Sequence, residues 1–218
     1  MLPQPNRQMA LAQYRLRARF YDAELAAFEP VRLRSVGCLQ LQPGNTVLDV
    51  GCGTGLSLEL LHKGVGPQGQ IVGIEQSPEM FDLARRRVAR HKWRNVTLLN
   101  APVASATIAC QADAALFHFT HDILRHPDEV RHVVGHLKPG ARVAAAGLQW
   151  GAPWDWPTNW LVWMAAMYST TSLEGLAQPW SHLLQHLGAV QVVPSPIHGV
   201  FIVCGKVLST GSEVVHHV

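Results

Sequence analysis

Short apolar runs alternate along the chain with stretches in which apolar residues recur every three or four positions. The clearest runs are NTVLDV at 45–50, QIVGIE at 70–75 and ADAALFHF at 112–119. The stretches between them carry helix signals, such as Ser77 and Pro78 at the start of a basic amphipathic segment. This alternation predicts βαβ units, in which parallel strands form a sheet and helices cover its faces.

Four further runs complete the predicted sheet. They are NVTLL at 95–99, ARVAAAG at 141–147, AVQVVP at 189–194 and GVFIVCGKV at 199–207. Only a short turn separates the last two, so the final strand should run antiparallel to its neighbours. We therefore predict an α/β fold with a doubly wound, Rossmann-like, seven-stranded and mostly parallel sheet, an antiparallel last strand and an N-terminal helical lid.

Three of the connecting helices have predicted ends. LSLELLHK at 56–63 should end at Gly64, since glycine commonly follows the last helical residue. PDEVRHVVGHLK at 127–138 should be followed by a turn at Pro139 and Gly140, before the next strand. A last helix is expected around WSHLLQHLG at 180–188.

The length of 218 residues suits one domain with a large core. We assign 1–40 to the helical lid, with a break near Glu29–Pro30, and 41–208 to the main domain. Within that domain the tryptophan-rich stretch 149–180 is treated as an insertion, and 209–218 as a flexible tail.

Composition excludes several classes. Although 48% of the residues are hydrophobic, the longest candidate span, NWLVWMAAMY at 159–168, is shorter than the ~18 apolar residues that a membrane helix needs. The N-terminal residues lack a charged segment followed by an apolar one, so we expect no secretory signal and a cytoplasmic location.

The charges and cysteines point to neither nucleic acid nor metal. The net charge is +3, and the basic cluster 85–94 closes an amphipathic helix, which predicts a solvated helix face. The four cysteines are far apart in the sequence, so we expect reduced thiols, with no disulfide and no metal site; they are Cys38, Cys52, Cys110 and Cys204.

The stretch VLDVGCGTG at 47–55 combines a carboxylate with a glycine-rich turn after a strand. Gly51, Gly53 and Gly55 allow a ligand to approach the backbone. Glu75 ends the second predicted strand, where an acidic side chain can accept hydrogen bonds from both hydroxyls of a ribose. The ligand predicted from these positions is a nucleoside.

Asp49 decides which nucleoside is favoured. A dinucleotide site requires a third glycine where this chain has Leu56. A carboxylate within ~6 Å of a pyrophosphate would cost on the order of 1 to 3 kcal/mol at an effective dielectric of 20 to 80. The same carboxylate stabilises a cation, so a nucleoside with a positive charge and no phosphate, S-adenosylmethionine, fits better.

These segments resemble the class I S-adenosylmethionine-dependent methyltransferases. VLDVGCGTG resembles the glycine signature of that family and VGIEQSPEM its acidic segment. LLNAPV is similar to the adenine-contacting loop, with Asn100 where an aspartate is commoner, and LKPGARVAAAG to the turn into the fifth strand. The matches run in order from about 45 to 148. More weakly, the N-terminal helices with FYD at 20–22 resemble the lid of quinone-pathway C-methyltransferases and bacterial phospholipid N-methyltransferases.

The resemblance implies S-adenosylmethionine as cofactor and assigns roles to individual positions. Asp49 and the glycines would hold the methionine end, and Glu75 the ribose. The implied cofactor-binding residues are Tyr21, Asp49, Gly51, Gly53, Gly55, Glu75, Gln76, Met80, Asn100, Ala101, Pro102, Phe117 and His118. For Tyr21 and Phe117 the alternative is simple core packing.

The acceptor side is less defined by sequence. FHFTHD at 117–122 offers two candidate general bases, His121 as first choice and His118 as second. The tryptophans of 149–180 could line a pocket for a small apolar, aromatic or lipid-like acceptor, contact a membrane surface, or be buried against the lid. Two other functions stay open: a protein that binds the cofactor without transferring methyl groups and, less favoured, an NAD(P)-dependent oxidoreductase.

Overall fold

The computed structural model describes residues 25–169 and 175–208. Tyr21, most of the predicted lid, part of the tryptophan-rich insertion and all of the predicted tail lie outside these ranges. The strands are β1 Thr46–Val50, β2 Gln70–Glu75, β3 Val96–Asn100, β4 Ala112–His118, β5 Leu137–Leu148, β6 Leu187–Val193 and β7 Val200–Val207.

The helices lie between the strands, and a 3₁₀ turn at Leu25–Phe28 leads into the first of them. They are α1 Glu29–Cys38, α2 Leu58–Val65, α3 Pro78–His91, α4 His121–Leu124, α5 Pro127–Gly135, α6 Trp156–Ser169 and α7 Ser181–Leu184, with a further 3₁₀ turn at Val103–Ser105. None of the helices in the described part of the chain is long and apolar enough to span a bilayer.

The strand order β3–β2–β1–β4–β5–β7–β6 confirms the predicted α/β architecture. β1 pairs in parallel with β2 on one side and with β4 on the other, and β5 continues the parallel set. β7 runs antiparallel to both β5 and β6, as predicted for the last strand. The carboxyl ends of β1, β2 and β4 therefore open at one edge, where doubly wound sheets bind ligands.

Three predicted boundaries differ from the structure. α2 continues through Gly64 to Val65, and it is Gly66, at φ 66°, that follows the helix in the left-handed region. Pro139 and Gly140 lie within β5, whose register with β4 shifts beside them. The last predicted helix is reduced to the four residues of α7, because the following residues already pair in β6.

The core lies on both faces of the sheet. Successive side chains of β1 point to opposite faces of the sheet, so that Leu48 packs in one apolar cluster and Val47 in the other. A third cluster joins α1, α6 and the sheet through Val31, Val162 and Ile202. This cluster places α1 over the carboxyl ends of the central strands.

A disulfide joins Cys38, at the end of α1, to Cys204 in β7, with a Cα–Cα distance of 6.1 Å. The prediction of reduced thiols is therefore wrong for this pair, whereas Cys52 and Cys110 are free. The two partners are 166 residues apart in sequence, and only the sheet order brings them together. The bond ties α1 to the sheet.

Candidate active site

The turn after β1 can be built only with glycine at its key positions. Gly51, Gly53 and Gly55 have φ values of 68°, 56° and 79°, in the left-handed region that other residues rarely adopt. A Cβ on Gly51 would lie 2.6 Å from Cγ2 of Thr120, the residue that precedes α4. The turn therefore forms a close-fitting cradle at the carboxyl edge of the sheet.

Glu75 holds this turn in place. Its Oε2 accepts a hydrogen bond of 2.9 Å from the Gly53 N–H, and its Oε1 accepts one of 2.7 Å from the Ser77 N–H at the start of α3. Burial raises the pKa of this carboxyl, and the backbone hydrogen bonds oppose that rise. The Glu75 side chain thus connects the glycine turn to the start of α3.

Asp49 is a buried carboxylate with an unsatisfied oxygen. It is 2% exposed, and its Oδ2 has no hydrogen-bond partner. Burial raises its pKa from 3.8 to about 7; the charge of Arg32 lowers it and that of Glu75 raises it. An unpaired buried carboxylate is costly unless a donor or a cation reaches it, so this atom marks a ligand position.

Arg32 is a site residue that sequence reasoning missed. It is buried on the inner face of α1, forms an ion pair with Glu29, and lines the same cleft as Asp49. Val31 and Ser35 share this buried face, whereas Leu33 is exposed. The apolar residues of α1 therefore do not mark its buried face. The sequence alone carries no signal that distinguishes the buried Arg32 from the exposed Arg34.

His118 completes this part of the site from the end of β4. The Ser35 hydroxyl donates to the Arg32 carbonyl at 3.1 Å, and its oxygen lies 3.4 Å from His118 Nδ1. Nδ1–H is therefore the donor to Ser35, and the buried Nε2, which has no partner, is the unprotonated nitrogen. Burial and then the charge of Arg32 lower the pKa of His118 to about 3, so the imidazole is neutral.

These side chains share one cleft. It is lined by Leu25, Arg32, Asp49, Gly51, Cys52, Gly53, Thr54, Leu56, Ser57 and His118. A carboxylate that favours a cation and a guanidinium that favours an anion thus lie side by side. This combination matches the ammonium and carboxylate of an amino acid.

The predicted adenosine side lies along the ends of β2 and β3. The Asn100 side-chain amide donates to the Glu75 carbonyl at 2.8 Å and ties the two strand ends together. Met80 is buried below them, and its N–H donates to Ser77 Oγ at 3.4 Å. Three more predicted residues are half-buried at the same edge: Gln76, Ala101 and Pro102.

Phe117 and His121 are buried in the core and do not line the cleft. Phe117 is fully buried in the apolar core, opposite Val50 and Ala145 in the neighbouring strands. His121 is also buried, and its Nε2–H donates to the Leu148 carbonyl at 3.0 Å. The described part of the site therefore contains His118 but not His121.

The donor set fits S-adenosylmethionine. The orphaned Asp49 oxygen suits its ammonium, the turn has no room for a Cβ at Gly51 or Gly55, and Glu75 ends β2, where the ribose is expected. A pyrophosphate would meet Asp49 instead of a positive group, which argues against a dinucleotide. Within residues 25–169 and 175–208, no group of three or more His, Cys, Asp and Glu side chains is arranged to hold a metal ion.

Comparison with known proteins agrees with this geometry. Residues 47–140 match a family model described as a methyltransferase domain. The chain is 32% identical over 118 residues to an arsenite methyltransferase of Halobacterium salinarum, covering 52% of this chain and 29% of that protein. It is 27% identical over 194 residues to a 2-phytyl-1,4-naphtoquinone methyltransferase of Thermosynechococcus vestitus, covering 84% of this chain and 79% of the relative.

A solved structure shows the same fold. An N-methyltransferase from Bradyrhizobium japonicum, in complex with S-adenosylhomocysteine, superposes with a TM-score of 0.60 at 14% identity over 84% of this chain and 90% of its own. The chain spans less than half the length of the first curated relatives it matches, with shares of 29%, 32% and 48%. Residues 47–140 are thus similar to a methyltransferase domain, and the chain shares the fold of a solved S-adenosylmethionine-dependent methyltransferase. These similarities support S-adenosylmethionine, the cofactor that the resemblance implies.

Proposed function

We propose that the protein transfers a methyl group from S-adenosylmethionine to a small, apolar acceptor of aromatic or lipid-like character. The observation that supports this reaction is that Asp49 and Arg32 line the same cleft. One carboxylate and one guanidinium together suit the ammonium and carboxylate of the methionine end of S-adenosylmethionine. The apolar acceptor is supported by side chains at the same sheet edge. Phe28, Phe119 and Trp150 are partly buried there, and the rings of Phe28 and Phe119 are 4.9 Å apart.

Each part of the methyl donor, S-adenosylmethionine, has a proposed partner among the side chains of the site. Asp49 accepts from the ammonium, Arg32 donates to the α-carboxylate, and Glu75 accepts from the ribose hydroxyls. The adenine is flanked by residues at the ends of β2 and β3, namely Gln76, Met80, Asn100, Ala101 and Pro102. Phe117 supports this edge from the core, and a contact from Tyr21 stays a prediction because that residue lies outside the described ranges.

When bound, the cofactor would supply a methyl group on a sulfonium, so that an acceptor nucleophile bonds to the methyl carbon while the carbon–sulfur bond breaks and its electron pair stays on the sulfur of S-adenosylhomocysteine. The protein positions the two reactants and keeps water away. Alignment of this kind is worth ~7 to 11 kcal/mol in favourable cases. The buried carboxylate of Asp49 and the guanidinium of Arg32 fix one end of the donor, and the aromatic side chains hold the acceptor beside it.

We propose His118, rather than His121, as the histidine that contacts the acceptor. Its unprotonated Nε2 is buried without a partner, in the cleft. With a pKa of about 3 it is a weak proton acceptor, so its role is to accept a hydrogen bond from the acceptor and orient it. The ring of His121 instead fills the space beside Gly147, where a Cβ would lie 2.7 Å from it, and supports the end of β5.

Substitution should separate these roles. His118→Gln is expected to lower kcat by about 10², because the acceptor loses its alignment, while the affinity for S-adenosylhomocysteine changes only a few-fold. His121→Gln should mainly lower the melting temperature. His132→Gln is the matched control, since His132 Nε2 likewise donates to a carbonyl, that of Ala106, at 3.0 Å. The assignment fails if His121→Gln loses kcat at unchanged stability while His118→Gln keeps it.

An acceptor assay with methyl-labelled S-adenosylmethionine tests the proposed substrate class. We expect label to transfer to a reduced phytylated naphthoquinone and not to arsenite, two of the acceptors that the relatives' names suggest. Trivalent arsenic prefers thiols, and the one cysteine in the cleft, Cys52, is buried with a raised pKa. Transfer to arsenite alone would refute the apolar acceptor. No transfer to any acceptor, with donor binding intact, would favour a cofactor-binding protein without transferase activity.

A further inference from the structure

Helix α6 turns its small side chains inward and its large ones outward. Thr158, Val162 and Ala166, spaced four residues apart, are buried against the rest of the protein. The opposite side carries Trp156, Trp160, Leu161, Trp163 and Met164, and Trp154 precedes it. The exposed fractions of these six side chains run from 37% for Trp163 to 82% for Trp154. We call these six residues the tryptophan face.

The tryptophan face concentrates the exposed apolar surface of the molecule. Among the described residues, only two other large apolar side chains are exposed, Leu33 and Val192. The rings of Trp160 and Trp163 stack with centroids 5.2 Å apart, which makes a continuous aromatic surface. Exposed apolar surface of this extent marks a place where a protein meets another apolar body.

We propose that the tryptophan face docks on the surface of an electrically neutral lipid bilayer. Tryptophan rings favour the membrane–water boundary, where the apolar body is buried and the N–H stays hydrated. From Trp156 to Ser169 the helix contains no acidic or basic residue, so it offers no ion pair to a charged partner and needs no anionic lipid. At about 1.5 Å per residue, the 14-residue helix is roughly 21 Å long and can lie along the surface but not cross it.

The position of α6 relates this surface to the active site. The helix follows the carboxyl end of β5, at the edge of the sheet where the cleft opens. The Asn159 side chain fixes it there: its Oδ1 accepts from the Gly151 N–H at 2.8 Å and its Nδ2–H donates to the Ala152 carbonyl at 2.9 Å. The choice of a bilayer over a protein partner rests on the proposed function, because a lipid-like acceptor is dissolved in the bilayer on which this edge would lie.

Flotation of the full-length protein with phosphatidylcholine vesicles, without donor or acceptor, tests the proposal. We expect wild-type protein to float with the vesicles, and Trp160→Ser/Trp163→Ser to lower the partition coefficient on the order of tenfold. Val192→Ser is the matched control, since it removes an exposed apolar side chain outside the tryptophan face, and it should bind vesicles like wild type. Unchanged affinity for S-adenosylhomocysteine shows that each variant is folded.

Three results would overturn the proposal. Wild-type protein that stays unbound at excess phosphatidylcholine would refute it directly. Binding that requires anionic lipid and disappears at high salt would assign the association to the basic residues of α3. A lower oligomeric mass for Trp160→Ser/Trp163→Ser, with vesicle binding unaffected, would assign the face to a second copy of the chain. The flotation experiment contains neither S-adenosylmethionine nor a methyl acceptor. A failure to bind vesicles would therefore refute the docking surface without refuting the proposed methyl transfer, which the acceptor assay tests.

Discussion

Replacing Asp49 by asparagine is expected to lower the affinity for S-adenosylhomocysteine at pH 8 by at least about a hundredfold. The variant keeps the shape of the side chain but removes the negative charge that the ammonium requires. Asp113→Asn is the matched control. Its carboxylate accepts from the Thr46 N–H and pairs with Lys138, away from the cleft, so that variant should lose stability but not affinity. Calorimetric titration measures the affinity of both variants, and retained affinity in Asp49→Asn would refute the assignment.

The same substitution should stabilise the ligand-free protein at alkaline pH. Because the pKa of Asp49 is raised from 3.8 to about 7, the folded state holds this proton more tightly than the unfolded state does. The protonated Asp49 side chain contributes roughly 4 kcal/mol to the free energy of unfolding. This contribution is complete below pH 4 and is lost as the pH rises to 7. Asparagine does not titrate, so urea unfolding should show the variant to be the more stable protein at pH 8, by a margin that shrinks towards pH 4.

Affinity should also depend on pH in the wild-type protein. The ammonium binds the ionised carboxylate, so affinity should fall as the pH drops below 7, by up to about tenfold per pH unit. Asp49→Asn should lack this dependence. A wild-type affinity that is constant between pH 5 and 8 would show that Asp49 does not titrate in this range.

Replacing Arg32 by methionine is expected to weaken S-adenosylhomocysteine binding by about thirtyfold or more. The proposed contact is a charge-assisted hydrogen bond to the α-carboxylate, and methionine keeps the apolar stem without the charge. Binding of 5′-methylthioadenosine, which lacks the amino-acid end, should change little. The loss of the guanidinium should also raise the pKa of Asp49 further, since its charge now lowers that pKa, and so move the pH dependence of binding to higher pH.

Arg34→Met is the matched control for this substitution. Arg34 lies on the same helix but is exposed, and its guanidinium donates to the Pro194 carbonyl at 2.5 Å. Its removal should leave the affinity for both ligands unchanged. If Arg32→Met weakens the two ligands equally, Arg32 acts by holding α1 in place and does not contact the carboxylate.

The donor side of the site could be predicted from sequence because its parts are local. The glycine turn follows β1 directly, and its three positive φ angles require residues that can be read from the chain. Glu75 and Asn100 end neighbouring parallel strands, and strands of this kind bring their carboxyl ends to one edge. Periodicity and strand ends thus carry enough information to locate the turn and these two residues.

The acceptor side could not be predicted in the same way. His118 and His121 are three residues apart, yet one lines the cleft and the other is buried beside Gly147, because the chain turns sharply between β4 and α4. Phe119, between them, adopts a φ of 57°, which no local pattern predicts. The sequence leaves three alternatives open for the tryptophans: a pocket, a membrane surface or a helix buried against the lid.

By itself, the sequence determined the sheet, the glycine turn and a cofactor with a positive charge and no phosphate, because strand and turn conformations follow from neighbouring residues. Only the tertiary structure placed Arg32 beside Asp49 and joined Cys38 to Cys204. It also turned the large side chains of α6 towards solvent. These features depend on which face of a helix meets the sheet and on which distant strands are neighbours, and both are decided when the whole core packs.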